Sequence, residues 1–300
     1  MSSGELKERL AMRAFAYPKT RALLVLVLAC SGLALVSSSA SAAAVSIDLC
    51  AVPGTATVTG AVSVPIWGFG IPATPGDCGT ATASLPGPVL SVNEGDTVTV
   101  NVTNALPAGH PLSFEVPGIS FAAGPTDAAV GATVSRTFTA NAPGTYLYGS
   151  GGDAGRQQAM GLAGALVVRS GTANQAYDSA TTAYDVEAVL VLGALDPAFN
   201  AAPDTFDLHA YRATYWLING HAYPDTAPGI TAAAGQRVLL RYLNAGYDNT
   251  TMQLLGLHER VAARDARLLN NPFDADAETI PAGGTEDTIA TVPATAAPSS

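Results

Sequence analysis

The chain has 300 residues, 48% of them apolar, so it can bury a sizeable core, and 30 Gly and 20 Pro beside 7% aromatics point to many turns and short elements. Only 13% of the residues are charged, which excludes long charged helices, and the formal net charge is −10. From residue 48 onward there are nine Arg, no Lys and 22 acidic residues, so the chain would repel phosphate backbones, and nucleic acid is excluded as a partner.

In chain order, Lys19 and Arg21 precede the apolar run Ala22 to Val36, and the small residues Ser37-Ser-Ser-Ala-Ser-Ala42 follow it. That is the order of a secretory signal, with cleavage after Ala42. The apolar run is about fifteen residues, short of the roughly twenty a spanning helix needs. Residues 1–42 are therefore predicted to be a signal peptide. The mature chain is expected to be secreted, periplasmic or at the cell surface, and not transmembrane. A competing reading is lipoprotein processing at Cys30, on the loose lipobox Val27-Leu-Ala-Cys30, although the apolar run continues past it. Export leaves the mature chain with Cys50 and Cys78 alone, and an oxidising compartment predicts that they pair. The loop they close, about 28 residues, makes that bridge worth roughly 3 kcal/mol.

Beyond the signal, strand patterns dominate. Thr97-Val-Thr-Val-Asn-Val-Thr103 alternates with period two, and with Val89-Leu-Ser-Val92 across Asn93-Glu-Gly-Asp96 it reads as a hairpin. Further strands are predicted at 57–66, 133–139, 145–148, 164–168, 186–192, 215–218, 236–242 and 287–292. No stretch of ten residues after the signal has a strong helical period. The fold class expected is all-β, two tandem sandwiches or barrels.

The small polar stretch Ser170 to Thr182 reads as an exposed connection. It gives a first domain at 43–170, a linker at 171–182 and a second domain at 183–300. The two resemble each other: Gly87 to Asn104 and Pro228 to Asn244 each run from a short strand through a Gly turn into an alternating strand that ends at Asn. The first copy continues through Pro143-Gly-Thr-Tyr146 into Met160-Gly-Leu-Ala-Gly-Ala-Leu-Val-Val168. The second has no counterpart of those closing strands, so an open second barrel is expected, completed by a partner strand or belonging to a longer product.

Four stretches carry a family resemblance: Gly87-Pro-Val-Leu-Ser-Val-Asn-Glu-Gly-Asp96, Gly144-Thr-Tyr-Leu-Tyr148, Gln158 to Val168, and Leu217-Ile-Asn-Gly-His-Ala-Tyr-Pro-Asp225. They resemble the multicopper oxidases, which are built of tandem cupredoxin domains and include the laccases. The resemblance implies that fold, copper as cofactor and oxidoreductase activity. Copper chemistry in that family uses two His and one Cys at a blue-copper centre and eight His at a trinuclear cluster, soft thiolate and imidazole each suited to its metal. This chain has four His, at 110, 209, 221 and 258, and no Cys after 78. Where the family has His-X-His-Gly this chain has Glu115-Val-Pro-Gly118, and where it has Tyr-His-Ser-His this chain has Tyr148-Gly-Ser-Gly151.

None of the four His has a second ligand at metal spacing, so each is expected to be exposed or hydrogen-bonded. Asp274-Ala-Asp-Ala-Glu278 lacks the Gly and the distant Glu of a calcium loop and reads as a solvated strand face or turn. Gly149-Ser-Gly-Gly-Asp-Ala-Gly155 lacks the Lys of a phosphate cradle and reads as a flexible loop, and Ser150 is not in a nucleophile elbow. The expectation is a copper-free, exported binding or scaffolding protein with an unknown protein partner. No catalytic, metal or cofactor residue is assigned. The alternative is a laccase-like oxidoreductase of which this chain is one part.

Overall fold

The computed structural model describes residues 42–225 and 229–294. Residues 1–41, which carry most of the stretch read as a signal and Cys30, lie outside them. The first half holds β1 (Ala44–Val58), β2 (Val62–Gly70), β3 (Gly87–Asn93), β4 (Thr97–Asn104), β5 (Leu112–Ser113), β6 (Asp127–Ala128), β7 (Thr133–Thr139), β8 (Gly144–Gly149) and β9 (Ala163–Arg169). The second holds β10 (Val186–Leu195), β11 (Tyr215–Ile218), β12 (His221–Ala222), β13 (Arg237–Asn244), β14 (Thr250–Met252), β15 (Glu259–Arg264), β16 (Arg267–Ala275), β17 (Glu278–Ile280) and β18 (Thr285–Thr291). Two short helices, α1 (Arg156–Ala159) and α2 (Pro197–Ala201), are each about one turn long. Among the described residues no helix is long and apolar enough to cross a membrane.

The sequence repeat is also a repeat in space. One sheet has the order β2-β1-β4-β7, with β1 parallel to β4 and β7 antiparallel to it. The other runs β12-β11-β10-β13-β18-β15-β16, with β10 parallel to β13 and β18 antiparallel. Each central strand ends in a fully buried Asn that braces the turn after it. Asn104 donates to the carbonyls of His110 and Ala128 and accepts from the amide of Leu106. Asn244 does the same with Asp248, Ile280 and Gly246.

Period-two alternation builds the core of the first half. Val98, Val100 and Val102 point inward from β4, while Thr99 and Thr103 face the other way and join their hydroxyls to Thr137 and Thr133 of β7. Opposite lies a three-stranded layer, β3-β9-β8, whose Leu90, Val92, Tyr148, Leu166 and Val168 complete the sandwich. The reverse face of that layer, Leu147, Ala163 and Ala165, packs on Val191 and Leu243 of the second half. Three sheets thus stack face to face, with the small β14–β17 pair on the outer side of the third, and they are open sandwich layers, not closed barrels.

Three sequence readings change. Val89–Val92 and Thr97–Thr103 are not a hairpin: β3 pairs with β9 and β4 with β1 and β7, so Asn93–Asp96 carries the chain between layers. The expected strand at 57–66 contains a turn, because Gly60 and Ala61 take positive φ and fold β2 back on β1. The connection 171–182 is not wholly exposed, since Ala176, Tyr177 and Thr182 are buried. The second half also has a hairpin, β15–β16, that adds two strands beyond the repeat.

Charge, not only apolar surface, joins the halves. Arg241 is fully buried. Its Nε donates to Glu187 at 2.6 Å, and its Nη1 reaches Thr145 Oγ1 at 2.8 Å and Asp287 at 3.3 Å. Tyr177 donates to Asp287 at 2.5 Å, and Arg169 clamps Glu187 from the first half. Burial pushes the Glu187 carboxyl up, but the Arg169 hydrogen bonds and the Arg241 charge outweigh it and hold the group below its ordinary range.

Cys50 and Cys78 form the expected disulfide. It ties the end of the β1–β4 pairing to the Pro/Gly-rich stretch before β3. Replacing both by Ser should lower the free energy of unfolding by roughly 3 kcal/mol in a urea titration. A loss below about 1 kcal/mol would mean that the loop is already ordered in the unfolded chain.

Candidate functional site

The site to examine is where β8 ends. Gly149 and Glu115 form an isolated antiparallel bridge, each amide donating to the other's carbonyl at 2.9 Å. This joins the segments Glu115–Gly118 and Tyr148–Gly151, which the resemblance aligns with the copper-binding motifs. The two motifs do meet in space. The four aligned ligand positions hold Glu115, Pro117, Gly149 and Gly151, and only one of these side chains has a donor atom.

Glycine geometry tests whether imidazoles could return there. A Cβ on Gly151 would lie 2.9 Å from Oε2 and 3.0 Å from Oε1 of Glu115, so that carboxylate already occupies the space beside the glycine. A Cβ on Gly149 would lie 3.0 Å from the backbone carbonyl of Leu162. One obstacle is a flexible exposed side chain; the other is backbone just before β9. The donor chemistry does not fit copper held by imidazole, and at Gly149 the Leu162 carbonyl also takes the space. Gly149→His should therefore cost about 1–3 kcal/mol, whereas Gly151→His should stay within about 0.5 kcal/mol because Glu115 can swing away. Equal costs in denaturant unfolding would refute this reading of the two positions.

Behind the glycines the loop is braced, not loose. The Ser150 hydroxyl is buried, donates to Gln157 Oε1 at 2.5 Å and accepts from the amides of Ser113 and Gly152 at 3.3 Å. Gln157, fully buried, donates to the carbonyl of Pro111 and to Asp153. The glycines belong to this packing, because a Cβ at Gly152 would meet the Gln157 amide at 2.6 Å. Ser150 is a structural hydroxyl here, with no imidazole beside it.

The four histidines do not converge. His209 and His258 are exposed and pair with Asp207 and Asp276, and His221 is exposed on β12. His110 alone is buried. Asp274 and Glu278 face different arginines, Arg260 and Arg264. Among the described residues no group of three or more His, Cys, Asp or Glu has the geometry to hold a metal ion.

Residues 75–173 match the multicopper oxidase family. That stretch is a multicopper oxidase domain. It contains all four aligned ligand positions and the loop behind them. No curated relative matches the sequence. Similar solved structures include a multicopper oxidase called mgLAC, with a TM-score of 0.71 and 21% identity over 84% of this chain and 77% of that one. A blue copper oxidase from Nitrosomonas europaea gives 0.69 and 23% over 83% and 76%. A copper nitrite reductase from the same organism gives 0.65 and 22% over 84% and 85%. At these identities the likeness establishes a shared fold, which extends from the multicopper oxidase domain into the second half.

Proposed function

We propose that this chain is an exported protein of the multicopper oxidase fold that has lost its copper sites and acts by binding or scaffolding. The observation that carries the reading is the pair of glycines at the end of β8, with the Glu115 carboxylate against Gly151 and the Leu162 carbonyl against Gly149. A site kept for copper would keep donors and space. Here three of the four aligned positions carry no donor atom, the Leu162 carbonyl crowds Gly149, and the loop is pinned by Ser150 and Gln157. Export is supported by the order of basic, apolar and small residues at the amino terminus and by the disulfide.

The rival reading is a laccase-like oxidoreductase to which this chain contributes one part. It rests on the absence from the second copy, among the described residues, of the closing strands of the first; the face they would cover, Leu190, Leu192, Val238, Leu240 and Tyr242, is already buried against Ile280, Met252 and Leu254. The two readings separate on mixing mature protein with copper and a phenol or a cuprous salt. The proposal expects no oxidation above the buffer rate, and turnover would establish the rival.

A further inference from the structure

We propose that the cleft beside His110 binds a small organic cation through a primary ammonium group. The cleft is open, with a volume of about 530 Å³, and its wall includes Trp67, His110, Asp153, Arg156 and Asp204. His110 is 9% exposed, and its Nδ1 lies 2.8 Å from Asp153 Oδ2. A carboxylate only accepts, so Nδ1 carries the proton. A neutral imidazole has no second N–H, which leaves Nε2 as an acceptor in the cleft wall. The site lies outside the four aligned ligand positions, so it stands whether or not copper binds.

A second acceptor stands beside the first. Asp204 Oδ1 lies 3.2 Å from His110 Nε2, and the Asp204 side chain is 64% exposed. A lone pair and a carboxylate at that distance repel unless they share a donor. Donors of the surrounding loops are engaged away from the pair. Gln157 Nε2 donates to the carbonyl of Pro111 and to Asp153, and Arg156 Nη1 donates to the carbonyls of Pro203 and Phe206. The pair is therefore set to accept from a molecule that enters the cleft.

Charge selects among the donors that could enter. The charged groups lining the cleft are Asp153, Asp204 and Arg156, two negative against one positive, and the net charge of −10 repels anions. A primary ammonium is a compact cation with three N–H groups, enough to serve Nε2 and Asp204 Oδ1 together. The Trp67 indole, whose centroid is 4.5 Å from that of the His110 ring, is a wall that also favours a cation. A polyol matches the acceptors without the charge, and a quaternary ammonium matches the charge without an N–H. A metal ion fits less well, because among the described residues no group of three or more His, Cys, Asp or Glu has the geometry to hold one.

The chain has two Trp, and Trp216 is 61% exposed, so Trp216→Phe leaves Trp67 as the reporter of the cleft. The probe is n-butylammonium, added to mature W216F protein at about pH 8, where an alkylamine keeps its proton, with a chelator present and ionic strength held constant. Trp67 emission should change saturably, with half-saturation on the order of 1 mM. Tetramethylammonium and glycerol should each be at least about tenfold weaker. His110→Phe keeps a ring against Trp67 but removes Nε2, and should weaken n-butylammonium about tenfold. Asp204→Ala should do the same, and because Asp204 is exposed this variant keeps the test open if H110F does not fold. No saturable response below about 100 mM, equal half-saturation for tetramethylammonium or glycerol, or a D204A response like that of its parent would overturn the site.

Discussion

Arg241→Met should be the most damaging single substitution in the molecule, lowering the free energy of unfolding by about 4 kcal/mol. The cost does not measure the worth of the salt bridge. It reflects what is left behind: Asp287, 1% exposed, loses its cation, and Glu187, on the same sheet of the second half, is left with Arg169 alone. If that is the cause, removing the orphaned charges should recover the loss. Asp287→Asn with Glu187→Gln in the R241M background should regain at least about half of it, because neutral amides can still serve Tyr177, Thr145 and Arg169. Urea titrations of the parent, R241M, the D287N/E187Q protein and the combined variant provide the test. Additive losses, with no recovery in the combined variant, would show that packing of the Arg241 stem matters and its charge does not.

The second large effect is a pH dependence that runs opposite to acid denaturation. Glu286 sits on the outer face of β18, 2% exposed, with Oε2 accepting from Arg264 and Oε1 buried without a partner. Burial is the main influence pushing its carboxyl up. The Arg264 hydrogen bond opposes it, the charge of Glu278 adds to it, and the result is a pKa of about 7 against an ordinary 4.5. The native state therefore holds this proton more tightly than the unfolded chain does. The contribution is fully present below about pH 4.5 and is lost as pH rises through 7. At ~1.4 kcal/mol per tenfold in proton affinity, the swing is at most about 3 kcal/mol. Glu286→Gln keeps an acceptor for Arg264 and cannot ionise. Its advantage over the parent should be near zero at about pH 4.5 and should approach that figure at about pH 8, other titrating groups cancelling in the difference. An E286Q protein that is no more stable than its parent at the higher pH would contradict this account. Glu187, held below its ordinary range, acts the other way: its contribution is present above that range and is lost as pH falls.

How much of this was legible in the sequence depends on how far apart the partners lie. The alternating valines of β4 declared a half-buried strand, and the shared Asn at the ends of the two copies declared the repeat; both signals are local. The turn Asn93–Asp96 misled because the same residues suit a hairpin and a passage between layers, and only distant pairing with β9 and β1 decides. The β15–β16 hairpin escaped notice because its turn, Asp265-Ala266, takes positive φ at both residues without the Asn-Gly pair that usually announces it. Ala266 packs on Gly144, where an added Cβ would lie 2.8 Å from the Ala266 Cβ. The aligned ligand positions were readable as a list, but the Glu115 carboxylate beside Gly151 was not. For His110 the sequence allowed an exposed or hydrogen-bonded ring but not its partners, which lie 43 and 94 positions away.

The central claim, that the multicopper oxidase domain no longer houses copper, is tested most directly by metal analysis. Mature protein incubated with excess copper, briefly chelated and desalted, should retain well under one copper per chain, on the order of a tenth, and show no band near about 600 nm. One or more tightly held copper ions per chain, or an intense blue thiolate-to-copper absorption, would contradict it.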